Sequence, residues 1–266
     1  TFDIKMCFYY AIVKKNPKAL IKSGVINAKQ LSMFDDHFLI NGFEHPSMPV
    51  ITNENPHEIN FFRWGFIPEN VSSEAEAASF LKSYNTLNAN SNKIFESKIY
   101  SEPVLKQRCL VLCSGFFEWR KVKGKRVPYY ISLKDESLFA FAGVWSKWTD
   151  EAGRDNFTYS ILTIDANELL AQVHNTKKRM PLILTPENAK RWIAPNLSRE
   201  DVEELFTPIP SENLNAYTIK QFLPLAKQKP DSDIIAYYHY PGLSEIATET
   251  ASKKPQTESG QLKLEL

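Results

Sequence analysis

A carboxylate set inside an aromatic stretch, Gly115-Phe116-Phe117-Glu118-Trp119, is the feature with the plainest chemical potential. In apolar surroundings desolvation raises a glutamate pKa toward the range useful for proton transfer. The same pattern also fits an edge strand on which Glu118 faces solvent between two inward aromatics, because glutamate is seldom fully buried unless paired. His174 is the second group that could move a proton. It ends a short helical stretch and is followed by Lys177, Lys178 and Arg179, so it reads either as a general acid near phosphates or as a surface histidine. Further basic clusters, Arg120 to Arg126 and Lys14 to Lys22, are phosphate contacts or solvated faces. Trp64, Phe66 and Trp119 could stack bases or belong to the core of a chain that is 12% aromatic.

The cysteines, Cys7, Cys109 and Cys113, are odd in number, which argues against a disulfide framework and fits a reducing cytoplasm. The histidines are scattered and no C-x-x-C occurs, so neither a metal site nor a cofactor is expected.

These groups need a scaffold. A chain of 266 residues, 43% hydrophobic and 24% charged, has the composition of a globular protein of one or two domains. Its 32 basic and 31 acidic residues leave a charge of +1, so any phosphate binding rests on a local patch. The longest apolar stretch, Phe139 to Trp145, is too short to span a membrane. Asn16-Pro17 to Gly24 reads as a short capped helix, and strands are expected near His37 to Ile40 and Asn60 to Ile67. Ser73 to Glu76 has a capping-box pattern ahead of a helix ending near Tyr84, which puts Asn88 on the following turn. From Arg108 onward, β-rich runs alternate with charged turns. Helices interrupt them at Asn167 to Val173, Thr185 to Trp192 and Ser198 to Phe206. The expected class is α+β: one domain with a curled, mixed or antiparallel sheet, a pseudo-barrel, and short peripheral helices. After Gly242 the chain loses aromatics and periodicity and reads as a flexible tail.

Several segments gain meaning from their order: Met6-Cys7, RWGFIP at 63–68, LNAN at 87–90, RCLVLCSGFFEW at 108–119, PYY at 128–130, FAGVW at 141–145, TIDAN at 163–167 and HNTKKRMPLIL at 174–184. Together, over roughly residues 6–220, the chain resembles the SOS-response-associated peptidase (SRAP) family, the abasic-site processing proteins that attach to damaged single-stranded DNA. The resemblance implies that Cys7 is the catalytic N-terminal cysteine, with Asn88, Glu118 and His174 as its catalytic partners. It implies single-stranded DNA carrying abasic sites as the partner, and autopeptidase and lyase activities beside crosslinking. Arg63, Trp64, Lys93, Trp119, Lys177, Lys178 and Arg179 are the expected DNA contacts. Two family features are altered. The Cys-Gly-Arg opening is Cys7-Phe8-Tyr9, and N-A-R-x-E-T has become Asn88-Ala89-Asn90-Ser91-Asn92-Lys93, without its arginine and glutamate.

The chemistry of an N-terminal cysteine explains why that residue would be used. An abasic sugar opens to an aldehyde, which a neutral amine traps. An α-amine with pKa about 7.7 to 8.0 keeps a neutral fraction that a lysine near 10.4 does not. The thiol then closes a five-membered thiazolidine with the advantage of a tethered reactant. On this reading Glu118 moves protons for the amine and thiol, His174 is the acid that opens the sugar, and Asn88 holds the terminus.

Thr1 to Lys5 precede Met6, and Cys7 has no free amine while they remain. Met6 as the true start is the favoured explanation; removal of the extension by self-cleavage and an inactive member are the others. The expected organisation is an extension at 1–5, a SRAP-like domain at 6–242 and the tail at 243–266. The protein is expected to be a cytoplasmic monomer, nucleoid-associated when on damaged DNA. Two alternatives are a cysteine peptidase, in which Cys7 attacks and His174 is the base, and a noncovalent single-strand-binding module using Trp64, Trp119 and the basic segments.

Overall fold

The computed structural model describes residues 7–222, 231–243 and 246. The extension at 1–5 and most of the C-terminal tail lie outside them. Leu243 and Ile246, within the stretch expected to be flexible, are half-buried against the core.

The strands begin with β1 (Tyr9–Ile12), β2 (His37–Asn41), β3 (Ser47–Thr52), β4 (Asn60–Trp64) and β5 (Asn88–Asn90). The middle of the chain supplies β6 (Arg108–Cys113), β7 (Gly115–Val122), β8 (Lys125–Leu133), β9 (Phe139–Thr149) and β10 (Asp155–Asp165). Three short strands follow: β11 (Arg179–Pro181), β12 (Ile183–Leu184) and β13 (Leu214–Thr218). Strand β10 pairs with β4, β4 with β3, β3 with β6, β6 with β9, and β9 again with β10. This ring closes a mixed five-stranded barrel, parallel only at β4–β10, and closure removes the free sheet edges. A second, antiparallel sheet runs β13-β8-β7-β1-β2.

The two sheets share one core. Tyr10 on β1 and Phe116 on β7 both pack edge-on against Phe141 of β9, at centroid distances of 6.2 and 5.7 Å. The Tyr10 hydroxyl reaches that of Tyr159 on β10 at 3.0 Å. Every residue of β6 is buried, which accounts for its unbroken RCLVLC run, since a strand covered on both faces has no polar side to alternate.

The helices are short and peripheral: α1 (Lys18–Lys22), α2 (Ala28–Leu31), α3 (Glu74–Ser83), α4 (Pro103–Lys106), α5 (Glu168–Val173), α6 (Pro186–Trp192) and α7 (Arg199–Glu204). Ser73, Asn167, Thr185 and Ser198 each accept a hydrogen bond from the third helical amide, satisfying a donor that the helix itself leaves open. Two caps differ from the sequence reading. Glu76 turns to the amide and hydroxyl of Ser72, so its carboxylate does not complete a box with Ser73. Asn16 adopts a left-handed φ of 42° and donates to the Asp135 carbonyl at 2.9 Å, leaving Pro17 at the N-cap of α1. The expected α+β single domain with a curled sheet and peripheral helices is the observed architecture. No helix among the described residues is long and apolar enough to cross a membrane.

Candidate active site

The chain passes from β6 of the barrel to β7 of the second sheet at a corner made by Ser114. The Ser114 amide donates to the Ala11 carbonyl at 2.9 Å, and its hydroxyl accepts from the Val13 amide at 2.9 Å. At Gly115 the chain runs against the Tyr130 ring so closely that a Cβ there would lie 2.2 Å from the ring carbon bearing the hydroxyl. This close approach explains the glycine that opens the Gly-Phe-Phe-Glu-Trp stretch.

β7 then pairs with β1 on one side and β8 on the other. The register Tyr10 opposite Phe116 and Ala11 opposite Gly115 directs the residues just before β1 toward those just after Phe116. Cys7 and Glu118 are neighbours for that reason. Glu118 is 2% exposed, so the solvent-facing alternative is excluded: the strand around it is buried on both faces from Gly115 to Trp119. Burial pushes the Glu118 carboxyl up from the ordinary 4.5 to about 8, opposed by a hydrogen bond from the Trp119 backbone. The Cys7 thiol is pushed well above its ordinary value, first by its own burial and then by the negative charge that Glu118 and Cys113 would carry. Cys7 is 1% exposed, and its Sγ points back to the Tyr9 carbonyl at 3.8 Å.

Asn88 joins the pair from the barrel. The sequence reading placed it on a turn. It opens β5 instead, which lies parallel to β10 with Asn88 opposite Ile161 and Asn90 opposite Thr163. Its Nδ2 donates to the Cys7 carbonyl at 3.1 Å, while its buried Oδ1 has no hydrogen-bond partner among the described residues.

His174 caps the C-terminus of α5, which packs on β7. The Asn175 side chain reads both polar atoms of the Lys121 backbone, at 3.0 Å to the N–H and 2.9 Å to the carbonyl. This clamp fixes the histidine turn to the strand carrying Glu118, and nothing in the sequence pattern marked it. His174 is 3% exposed, and its Nε2 is buried without a partner among the described residues. Burial lowers its pKa below 6.5; a backbone hydrogen bond with Arg179 opposes the shift and the charge of Lys177 adds to it. The shift favours the neutral ring.

The basic and aromatic residues divide. Lys93, Lys177 and Lys178 are exposed, and Arg63 is half-exposed with Glu74 at 3.9 Å. Lys93 lines a cavity of about 480 Å³ with Phe95, Asp165, Arg199 and Phe206. Trp64 departs from the expected stacking role. Its ring is fully buried against Tyr159, and its Nε1 donates to the Leu87 carbonyl at 2.8 Å, so it offers no face to a base. Trp119 is 9% exposed and packs edge-on to Tyr9, 5.3 Å between centroids, and against Phe222. Arg179 also departs from its expected role: 7% exposed, it spends its guanidinium on Asp165 and Asn90, both at 2.6 Å, and on the Thr163 carbonyl. No cluster of three His, Cys, Asp or Glu side chains suited to a metal ion occurs among the described residues.

A closed mixed barrel beside an antiparallel sheet, bringing a cysteine, an asparagine and a buried glutamate together, defines the class of protein. The SOS response associated peptidase (SRAP) family model matches residues 6–223, and the chain belongs to that family. It is 31% identical over 199 residues to the abasic site processing protein YoqW of Bacillus subtilis (strain 168), covering 71% of this chain and 85% of the relative. It is 28% identical over 183 residues to the abasic site processing protein HMCES of Gallus gallus, covering 60% of this chain and 52% of that one. A crystal structure of a protein from Bacteroides thetaiotaomicron superposes with a TM-score of 0.77 at 35% identity, over 88% of this chain and 100% of the other.

Proposed function

We propose that this protein processes abasic sites in single-stranded DNA, as a monomer, by forming a covalent link through Cys7. The observation that carries the reading is the convergence of Asn88, Glu118 and Cys7: a hydrogen bond fixes the Cys7 carbonyl, and a carboxyl with a pKa near 8 lies beside the thiol.

The reacting form begins at Cys7, because only then is its nitrogen an amine. That amine attacks C1′ of the open sugar to give a carbinolamine, which loses water to an imine. The thiol adds across the C=N bond, its sulfur to carbon and its proton to nitrogen, closing the thiazolidine. Glu118 is able both to give and to take a proton near neutral pH, as dehydration and thiol addition require in turn. The imidazolium form of His174 acts as the acid, giving its Nε2 proton to the sugar ring oxygen, or to the leaving phosphate oxygen in strand cleavage, and returning to the neutral ring with the remaining proton on Nδ1. Asn88 Oδ1 and His174 Nε2 are buried polar atoms each costing about 1–3 kcal/mol when unpaired, a cost that bound substrate would relieve. Arg63, Lys93, Lys177 and Lys178 supply positive charge for phosphates.

The thiol's raised pKa disfavours the peptidase alternative, in which a thiolate must attack at neutral pH. The test is incubation of the full chain and of a form starting at Cys7 with a single-stranded oligonucleotide carrying one abasic site. A denaturation-resistant adduct with the shorter form, absent for Cys7→Ala, is expected. No adduct from that form overturns the reading; cleavage of peptides by the full chain favours the peptidase.

A further inference from the structure

The Arg179 backbone meets the His174 ring with two polar atoms at once. Its N–H lies 3.2 Å from Nδ1, and its carbonyl oxygen lies 3.1 Å from the same nitrogen. A ring nitrogen uses these partners one at a time. Unprotonated Nδ1 accepts from the N–H, and protonated Nδ1 donates to the carbonyl. Either state therefore finds a partner without the ring turning, and Nε2 keeps one direction throughout.

What holds that backbone in place is the side chain of the same residue. The guanidinium lies across β10, from Asp165 to the Thr163 carbonyl, and reaches Asn90 on β5, two residues beyond Asn88. β11 pairs with β10 on the other side, with Arg179 opposite Asp165. One residue thus links the strand carrying Asn88 to the turn carrying His174. Asn90 stands where the family pattern has an arginine, and its carbonyl-type Oδ1 is the acceptor that a second arginine could not be.

We infer that Arg179 is a positioning residue: anchored by Asp165 and Asn90, it presents the backbone that partners His174 Nδ1 in both protonation states, so that Nε2 exchanges a proton without reorientation. The inference rests on His174 being a proton donor in the proposed reaction and deepens that reading.

The test uses the full chain labelled with 15N, following the two His174 ring nitrogens in the wild type, Asp165→Asn, Asp165→Glu and Arg179→Lys, with the signals assigned by their loss in His174→Gln. Asp165 carries a largely exposed side chain, 76%, and the unfolding midpoint of each variant is measured alongside to check that the fold is kept. In the wild type one set of sharp ring signals is expected at every pH, because the ring keeps one orientation as it gains and loses a proton. In Asp165→Asn and Arg179→Lys the signals should shift and broaden as the ring loses its fixed partner and samples more than one orientation, and Asp165→Glu should restore the wild-type set. Unchanged His174 signals in both Asp165→Asn and Arg179→Lys would overturn the inference. The ring signals require no DNA, so failure of the abasic-site reading in the adduct assay is distinguished from failure of the positioning role.

Discussion

The Asn88 amide and the Cys7 carbonyl, 81 positions apart in sequence, are joined by a hydrogen bond of 3.1 Å. The contact grips the main chain of the cysteine at its carbonyl and engages neither its nitrogen nor its sulfur.

Replacing Asn88 with Asp keeps the size of the side chain and exchanges the donor for a carboxylate facing a carbonyl. A neutral hydrogen bond contributes about 0.5–1.5 kcal/mol, so its loss alone slows adduct formation up to about tenfold, and repulsion deepens the effect. Single-turnover rates with abasic single strands measure it. Unchanged rates in both Asn88→Asp and Asn88→Ala would remove Asn88 from the site.

Glu118→Gln should slow the adduct reaction while leaving DNA binding largely intact; equal loss of both would refute a purely catalytic role. The same change has a stability signature. The folded carboxyl, at about 8, holds its proton more tightly than the unfolded one near 4.5, so unfolding in that window releases a proton. Wild-type stability therefore falls as pH rises from about 4.5 to about 8, by about 1.4 kcal/mol per pH unit from this group. Glutamine cannot ionise. Urea unfolding across that range should show the variant gaining on the wild type as pH increases, and parallel curves would contradict the burial of a titrating carboxyl.

The three cysteines are free and buried, and burial raises the pKa of each. An aromatic disulfide reagent at pH 7.5 should find almost no reactive thiol in the native full chain and three after denaturation. Fast reaction of Cys7 in the folded full chain would show that its sulfur is more open than its 1% exposure indicates.

Gly115→Ala forces a Cβ into the Tyr130 ring at the corner between β6 and β7. Overpacking of this kind costs about 1–3 kcal/mol and occasionally more. A lowered unfolding midpoint is expected, with partial recovery in the double variant Gly115→Ala, Tyr130→Phe if the hydroxyl carries part of the clash. An unaltered midpoint in the single variant would mean that the close approach is not present.

Much of this protein could be read from its residues. Helix starts at Ser73, Asn167, Thr185 and Ser198 were legible because a cap is a local contract between one side chain and an amide three residues on. The β-rich middle was legible because buried strands need long apolar runs. The order of short motifs pointed to the family, and Cys7, Asn88, Glu118 and His174 were selected on that basis. β5 is not legible in sequence, because Asn88-Ala89-Asn90 becomes a strand only when β10 supplies the partner.

Sequence also fixed the chemical alphabet: a thiol next to a potential α-amine, a carboxyl among aromatics and an imidazole before a basic turn. Tertiary structure decided which of these groups meet and in which protonation state. Glu118 could have faced water; pairing of β7 between β1 and β8 buried it and moved its pKa to about 8. Arg179 and Trp64 could have touched DNA; tertiary packing buried both. Burial and register are properties of the whole chain, set by residues far away in sequence, and the same side chain takes opposite roles on the two sides of a sheet.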